Sequence, residues 1–371
     1  MTTMKTLSIH LSTHYSVYID HHLSSTTLLK ILCEKLNKRP IIITDSHLVH
    51  SLGKNCQQVL QKQGLEVELI FFPAGEIHKT RETKQLLEDE LLLKQYGRDT
   101  CLIALGGGVV TDVVGFVAAT YCRGVPVIYL PTTLLAMVDA CIGGKTGVNT
   151  LHGKNLIGTF SQPYAVLIDV AHLTTLPEHE LNNGVVEMIK YGVIANRILL
   201  DDLKNYPNKI KQRDLNFLIE KIYSSCLIKK NIVEQDEKEQ GLRQLLNFGH
   251  TIGHAIEAIE NYQISHGEAV AIGMLVESYL SVQCGYLHHS DLAVLQKIFQ
   301  NYGLPLKTSA FQNKIKFQQQ LRLDKKAIRN IPHFVLLDRM GNPHRHQGAN
   351  TMAVDPVHLA QTLNWAAEYF S

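Results

Sequence analysis

The sequence predicts an α/β fold: an N-terminal Rossmann-like, parallel-sheet domain over residues 1–177, followed by a mostly α-helical C-terminal domain over 178–371. Three observations lead there. Short apolar runs at 40–44, 65–72, 101–105 and 125–130 each alternate with helical periodicity, and β/α alternation builds a parallel sheet with helices on both faces. Gly106, Gly107 and Gly108 stand where one of those strands meets the next helix. From residue 177 to about 304 the pattern is almost wholly helical.

Composition narrows the function classes. A length of 371 residues suggests two domains and a large core. Hydrophobic residues make up 45% and charged residues 19%, an ordinary globular balance. A net charge of +2 supplies no field for nucleic acid or a membrane surface. The first residues hold no apolar run of the kind a secretory signal needs, and no stretch of about eighteen apolar residues is present. Seven cysteines without a Cys-x-x-Cys fit the reduced thiols of a cytoplasmic enzyme.

In chain order, residues 5–20 alternate like one or two edge strands. The run at 40–44 is a buried parallel strand ending at Asp45, with a helix following to about 62. A second strand, 65–72, leads through the loop 73–79 into a helix over 80–95. The strand 101–105 passes through the three glycines into a helix over 109–121, and 125–130 is a fourth strand. After Pro131 comes a loop-rich passage holding Thr132, Thr133, Asp139, Gly143, Gly144, Lys145 and the run Gly153-Lys154-Asn155. Residues 164–169 form one more strand. Leu176-Pro177-Glu178-His179-Glu180 reads as a helix start, with Pro near the first turn and acids after it. The tail carries a strand at 334–337 and a last helix over 356–369.

Three constellations carry chemistry. The first is 242–257, read as one helix. Arg243, Asn247, His250 and His254 then share a face, while Leu245, Phe248, Ile252 and Ile256 form the apolar stripe. Solvated faces are usually Lys, Glu and Gln. Two His, an Asn and an Arg, with Gly249 and Gly253 between them, look like a site wall. The second is metal chemistry. His250, His254 and His266 lie close in sequence, and Glu187 shares a helix face with Lys190. One Glu and two of these His would make an open three-ligand centre with room for substrate oxygens. His344 and His346 flank an Arg in a polar turn and are set aside. The third is anion binding. Bare N–H groups at Gly106–Gly108 on a helix N-terminus form a phosphate cradle. Asp45 could hold a ribose hydroxyl or cap a helix. With Asp112, this set favours a nicotinamide dinucleotide. Lys145, Lys154, Lys190, Lys229 and Arg243 sit beside Gly or Asn or on these faces, which suits a small polyanionic substrate.

These residues match a family over nearly the whole chain. The sequence resembles 3-dehydroquinate synthases in Gly75-Glu76-x-x-Lys79, Gly106-Gly-Gly-Val109-x-x-Asp112 and Pro131-Thr-Thr-Leu-Leu-Ala-Met-Val-Asp139. It does so again in Gly143-Gly-Lys-Thr146, Gly153-Lys-Asn155, Glu187-x-x-Lys190-Tyr191, Leu246-Asn-Phe-Gly-His-Thr-Ile-Gly-His254 and His266-Gly-Glu-Ala-Val270. The resemblance implies an NAD-dependent lyase with a divalent metal, Zn2+ or Co2+. Its reaction turns 3-deoxy-D-arabino-heptulosonate 7-phosphate into 3-dehydroquinate and phosphate, within aromatic amino acid biosynthesis. The steps implied are transient oxidation by NAD, β-elimination of phosphate, re-reduction and intramolecular aldol closure.

By the same resemblance, metal ligands fall on Glu187, His250 and His266, which turns His254 into a substrate or proton-transfer residue. Glu239 falls on another acid/base position, so the catalytic set is Lys145, Lys190, Glu239, Arg243, Asn247 and His254. The NAD set is Asp45, Glu76, Lys79, Gly107, Gly108, Val109, Asp112, Thr132, Thr133, Lys145, Lys154, His172, Leu173, Thr174 and Thr175. The substrate set is Arg123, Asp139, Lys145, Asn155, Lys190, Lys229, Arg243, Asn247, His250, His254, Lys325 and Lys326. Arg123 matches an Arg that reaches into a neighbouring protomer, which implies a homodimer. Rival readings are a metal-dependent polyol or glycerol dehydrogenase, which would need no anion clamp, a sibling sugar-phosphate cyclase, and a non-enzymatic NAD-sensing module.

Overall fold

A computed structural model describes residues 4–23, 27–323 and 327–371. The chain forms two compact units, one of residues 1–181 with 213–230 and one of 182–212 with 231–371.

The strands of the first unit are β1 (Lys5–His10), β2 (His14–Asp20), β3 (Arg39–Asp45), β4 (Glu68–Phe72), β5 (Thr100–Gly106), β6 (Val127–Pro131), β7 (Lys145–Thr150), β8 (Gly153–Phe160) and β9 (Ala165–Asp169). Seven of them make one sheet in the order β1-β2-β9-β6-β5-β3-β4. Every neighbouring pair is parallel except β1 with β2. The central strands are apolar on both faces, as strands covered on both sides must be. Ile41, Ile42 and Ile43 of β3 are fully buried, as are Leu102, Ile103 and Ala104 of β5. The buried Thr44 hydroxyl donates to the Leu105 carbonyl at 2.7 Å, tying these two strands at their carboxyl ends.

Helices α1 (Thr27–Leu36), α2 (Lys54–Lys62), α3 (Arg81–Leu93) and α4 (Gly108–Thr120) connect the strands. One core layer joins Leu29, Cys33, Cys56 and Leu60 to Ile42, Ile103 and Ile128. The chain runs from β3 outward to β4 and then returns to β5 on the other side of β3. The sheet therefore has its topological switch between β3 and β5, and an open α/β sheet binds ligands outside the carboxyl ends at such a point.

The passage after Pro131 departs from the loop expected there. It holds a short π-helical turn, Ala136–Ala140, and then a two-stranded antiparallel ribbon of β7 and β8. No apolar alternation announces the ribbon, because most of β8 is solvent-exposed. Its close approach depends on glycine: a Cβ at Gly158 would stand 1.9 Å from the Thr146 carbonyl oxygen across the ribbon.

In the second unit the helices continue as α5 (Glu178–Ala195), α6 (Arg197–Asn205), α7 (Pro207–Lys211), α8 (Leu215–Gln235), α9 (His250–Ile259), α10 (His266–Gln283), α11 (His289–Asn301), α12 (Lys314–Leu323) and α13 (Pro356–Tyr369). The first residues of α5 and most of α8 belong to the first unit, a return that one boundary near 177 does not anticipate. Helix α10 is the hub. It is buried nearly all round and packs against α9, α11 and α13. Its start is fixed by a capping box, with Ser265 accepting from the Glu268 N–H and Glu268 accepting from the Ser265 N–H. Near the C-terminus, β10 (Leu337–Arg339) pairs with β11 (Asn342–Pro343). The strand expected at 334–337 is thus displaced, and Phe334 makes only an isolated bridge to Met352.

The stretch 242–257 is not one helix. A 3-10 turn spans Leu242–Asn247, Phe248 leaves the helical region at φ −54°, ψ 125°, and α9 begins at His250. Gly249, at φ 78°, ψ −16°, is the joint. Only glycine takes that left-handed backbone without strain. The common face expected for Arg243, Asn247, His250 and His254 therefore does not exist as a helical stripe. Gly249 and Gly253 do face a close neighbour, but it is helix α10: a Cβ at Gly249 would lie 2.5 Å from Met274 Cγ, and one at Gly253 3.1 Å from the Ala269 carbonyl.

Candidate active site

In the first unit, Asp45 ends β3 and Gly106 ends β5, at adjacent carboxyl ends of the switch point. Asp45 Oδ1 accepts the N–H groups of His47 (2.9 Å) and Leu48 (3.2 Å), so the acid caps a turn at the carboxyl end of β3. Gly107 is the N-cap of α4 and Gly108 its first residue, with Val109 next. A glycine cap brings no side chain to the helix N-terminus, so the positive end of α4 is presented by backbone N–H groups alone. The residues thus fit a dinucleotide pyrophosphate. Lys79, 4% exposed, pairs with Asp112 on the first turns of α4. Burial raises the Asp112 carboxyl above its ordinary value, against the pull of that lysine.

The loop carrying Glu76 and Lys79 is clipped to the ribbon. Asn149 Nδ2 donates to Glu76 Oε1 at 2.8 Å, and the Asn149 N–H donates to the Lys79 carbonyl at 2.7 Å. Asn149 Oδ1 also accepts the Asn155 N–H at 3.0 Å. Asn149 was invisible in the sequence because it lay in a passage read as loop. Lys145 is exposed at the start of β7, and Lys154 is half-buried on β8. Thr132 is buried at 5% exposure, and Thr133 Oγ1 accepts the Ala136 N–H. Leu173 is buried and Thr174 and Thr175 lie beside it in a 3-10 turn whose Leu173 carbonyl accepts from Arg213. Burial holds the His172 ring below its usual value. Lys229 Nζ donates to Asp139 Oδ1 (2.7 Å) and to the Asp139 carbonyl (2.6 Å). Arg123 is exposed at the end of a short 3-10 turn, with φ at 68°.

In the second unit, three elements converge. Glu187, fully buried on α5, presents Oε1 to His250 Nε2 at 3.5 Å and to His266 Nε2 at 3.6 Å. The three donor atoms lie within 4.8 Å of one another, a group able to hold a metal ion among the described residues. Lys190, one turn along and 1% exposed, pairs with Glu187. His254 flanks the group, its ring centroid 5.4 Å from that of His250 and 6.5 Å from that of His266.

Both imidazoles are oriented from behind. His250 Nδ1 lies 3.1 Å from the Phe248 carbonyl, which can only accept, so Nδ1 carries the proton and Nε2 keeps its lone pair for a metal. Burial and then Lys190 hold His250 well below its ordinary pKa. His266 Nδ1 lies 3.5 Å from Glu257 Oε1. Burial alone would lower His266, but the Glu257 and Glu187 carboxylates outweigh it and push the ring up to about 10. A carboxylate behind a ligating histidine is the usual second support of such centres. One carboxylate and two imidazoles with open positions suit Zn2+ or Co2+. Glu257 and the Phe248 carbonyl were missed in the sequence. The only available signal was that Glu257 follows His254 by three residues, a spacing that keeps it on the face of the histidines.

Ahead of α9, Asp236 organises a turn. Its carboxylate accepts the N–H groups of Gln240 (2.9 Å), Gly241 (2.7 Å) and Arg243 (3.0 Å). That turn carries Glu239, at φ 61°, and Arg243, 1% exposed, whose Nη1 donates to the Glu237 carbonyl at 2.6 Å. Asn247 Nδ2 donates to Glu239 Oε1 at 3.0 Å. Lys325 and Lys326 lie outside the described residues. His344, set aside above, stacks on Tyr286 and bonds Asp338.

Comparison with known proteins gives the family. Residues 69–183 match the family model described as 3-dehydroquinate synthase N-terminal, and residues 184–327 match 3-dehydroquinate synthase C-terminal. The 3-dehydroquinate synthase of Nitrosomonas europaea is 43% identical over 328 residues, covering 88% of each chain. That of Neisseria meningitidis serogroup C is 41% identical over 342 residues, covering 91% of this chain and 94% of its own. Among solved structures, 2-epi-5-epi-valiolone synthase from Streptomyces hygroscopicus with NAD+ and Zn2+ bound superposes with a TM-score of 0.86 at 27% identity, covering 98% of this chain and 99% of its own. A 2-deoxy-scyllo-inosose synthase complexed with carbaglucose-6-phosphate, NAD+ and Co2+ shares the fold, with a TM-score of 0.87 at 24% identity, covering 97% of this chain and 99% of its own. A glycerol dehydrogenase from Schizosaccharomyces pombe shares it more distantly, at 0.63 and 17%, covering 94% of this chain and 88% of its own. By family model and by identity over most of its length, the chain belongs to the 3-dehydroquinate synthase family.

Proposed function

We propose that this chain is an NAD- and divalent-metal-dependent lyase that converts 3-deoxy-D-arabino-heptulosonate 7-phosphate into 3-dehydroquinate and phosphate. The observation that carries the reading is the Glu187–His250–His266 donor set, with both imidazoles supported from behind, in a chain of this family. When bound, NAD supplies a reversible hydride acceptor and the metal supplies a Lewis acid for a pair of vicinal hydroxyls.

The chain's own residues do the rest. Asp45 and the bare start of α4 hold ribose and pyrophosphate, and Lys79 with Asp112 stiffens that helix start. Lys145, Asn155, Lys229, Arg243 and Arg123 hold carboxylate and phosphate, so that each step begins from one bound geometry. Lys325 and Lys326 are assigned to the same role by family likeness. Lys190, Glu239, Asn247 and His254 place or move protons, with Asn247 orienting the Glu239 carboxylate through its 3.0 Å bond. A nucleotide domain at the N-terminal side, a metal and substrate domain after residue 177, a homodimer and a cytoplasmic location complete the proposal. The last is supported by seven free cysteines and by the absence, among the described residues, of a helix long and apolar enough to cross a membrane.

The test is product formation. Given the heptulosonate phosphate, NAD and Zn2+ or Co2+, the chain should release phosphate and yield 3-dehydroquinate. Chelation should stop the reaction and added metal restore it. Activity toward polyols with no product from the heptulosonate phosphate would replace this reading with a dehydrogenase.

A further inference from the structure

The two histidines of the donor set stand at the first positions of two different helices, α9 and α10. One helix start must therefore be fixed against the other, and the Gly249 joint is the place where this happens. Its N–H donates to Glu277 Oε2 at 2.8 Å. Glu277 is fully buried. A Cβ at Gly249 would lie 2.9 Å from the Val270 carbonyl, and one at Gly273 would lie 2.0 Å from the Gly249 carbonyl. His266, Val270, Gly273 and Glu277 follow one another at steps of four, three and four on α10, so they share one face. That face begins with one metal donor and ends, roughly 16 Å along the axis, with the carboxylate that holds the residue before the other donor.

We infer that Glu277 is a positioning residue of the metal centre, acting through the Gly249 N–H on the His250 ring. The inference rests on Glu187, His250 and His266 being the metal donors. An acceptor oxygen at this reach is what the place needs. An apolar side chain would leave the joint's N–H buried without its acceptor. The left-handed torsions of Gly249 would then shift to find another acceptor, and they set the direction in which His250 leaves the chain. Loss of an outer support of this kind typically weakens metal binding about 10–100-fold.

The experiment compares Glu277→Gln, Glu277→Asp and Glu277→Met in the full chain, stripped of metal. Zn2+ affinity is read by competition with a chromophoric chelator, Co2+ geometry by visible absorption, and folding by circular dichroism. Gln keeps an acceptor oxygen at the same reach and should bind Zn2+ like the parent. Asp, a methylene shorter, and Met should lose about tenfold or more and shift the Co2+ spectrum while the fold persists. Parent-like affinity and spectrum in Asp and Met would overturn the inference, as would a Gln variant as weak as Met. If Met fails to fold, the Gln and Asp variants decide alone by the same criteria. His250→Ala is the reference: full Zn2+ uptake in that variant would remove the donor assignment, and the inference would fall with it.

Discussion

Asp236 and His250 illustrate how single residues act here through atoms that are not their own. Asp236 gathers three backbone N–H groups and so shapes the turn that carries Glu239 and Arg243. Burial opposes its charge, but the N–H groups of Gln240, Gly241 and Arg243 prevail and hold its carboxyl below the ordinary aspartate value of 3.8. A depressed carboxylate contributes stability that is present above the unfolded value and lost as pH falls through the folded one. Asp236→Asn should therefore cost about 1–3 kcal/mol at pH 7. In urea melts of both proteins the gap should hold down to about pH 5 and narrow below pH 4. A gap independent of pH would mean that the charge is not what the turn uses. At the donor set, His250→Ala should abolish stoichiometric metal and activity while circular dichroism stays native. Unchanged metal content in that variant would remove His250 from the ligands.

At the scale of elements, legibility followed the strength of the local pattern. The central strands were plain because short apolar runs buried on both faces have few alternatives. The ribbon β7–β8 was not, because its exposed strand and its glycines look like loop until the partner strand is known. The broken helix at 248–249 escaped for a related reason. His, Asn and Arg keep helical spacing on paper, and a glycine inside such a run does not reveal whether it is helical or left-handed. The residue types of the donor set were readable, and the structure brings Glu187, His250 and His266 together. Their supports were not, since Phe248 acts through its carbonyl and Glu257 sits among apolar neighbours. The ribbon also yields a prediction. Asn149 links Glu76, Lys79 and Asn155. Asn149→Ala removes two side-chain hydrogen bonds of about 1 kcal/mol each and should weaken NAD binding by about tenfold, measured by calorimetry. Unaltered NAD affinity would detach the ribbon from the nucleotide site.

For the whole molecule, two proposals remain to be tested: sharing of sites between protomers, and return of the hydride within each turnover. Arg123 is exposed on its short turn, and family likeness assigns it to a neighbouring protomer's substrate. Arg123→Ala and Lys190→Ala should each be inactive alone. Verified heterodimers of the two should regain about half of the parent activity per dimer if sites are shared. No recovery would assign Arg123 to its own protomer or to none.

The product has the same overall oxidation state as the substrate, so the hydride must come back before release; in the proposal made above, Gly107, Gly108, Asp45 and Lys154 keep the nucleotide in place. The decisive measurement follows phosphate and absorbance at about 340 nm together, with NAD far below the concentration of substrate. Phosphate should rise to many equivalents per NAD with no steady accumulation of NADH. Phosphate release that stops at one equivalent of NAD, or NADH accumulating with every turnover, would contradict the account.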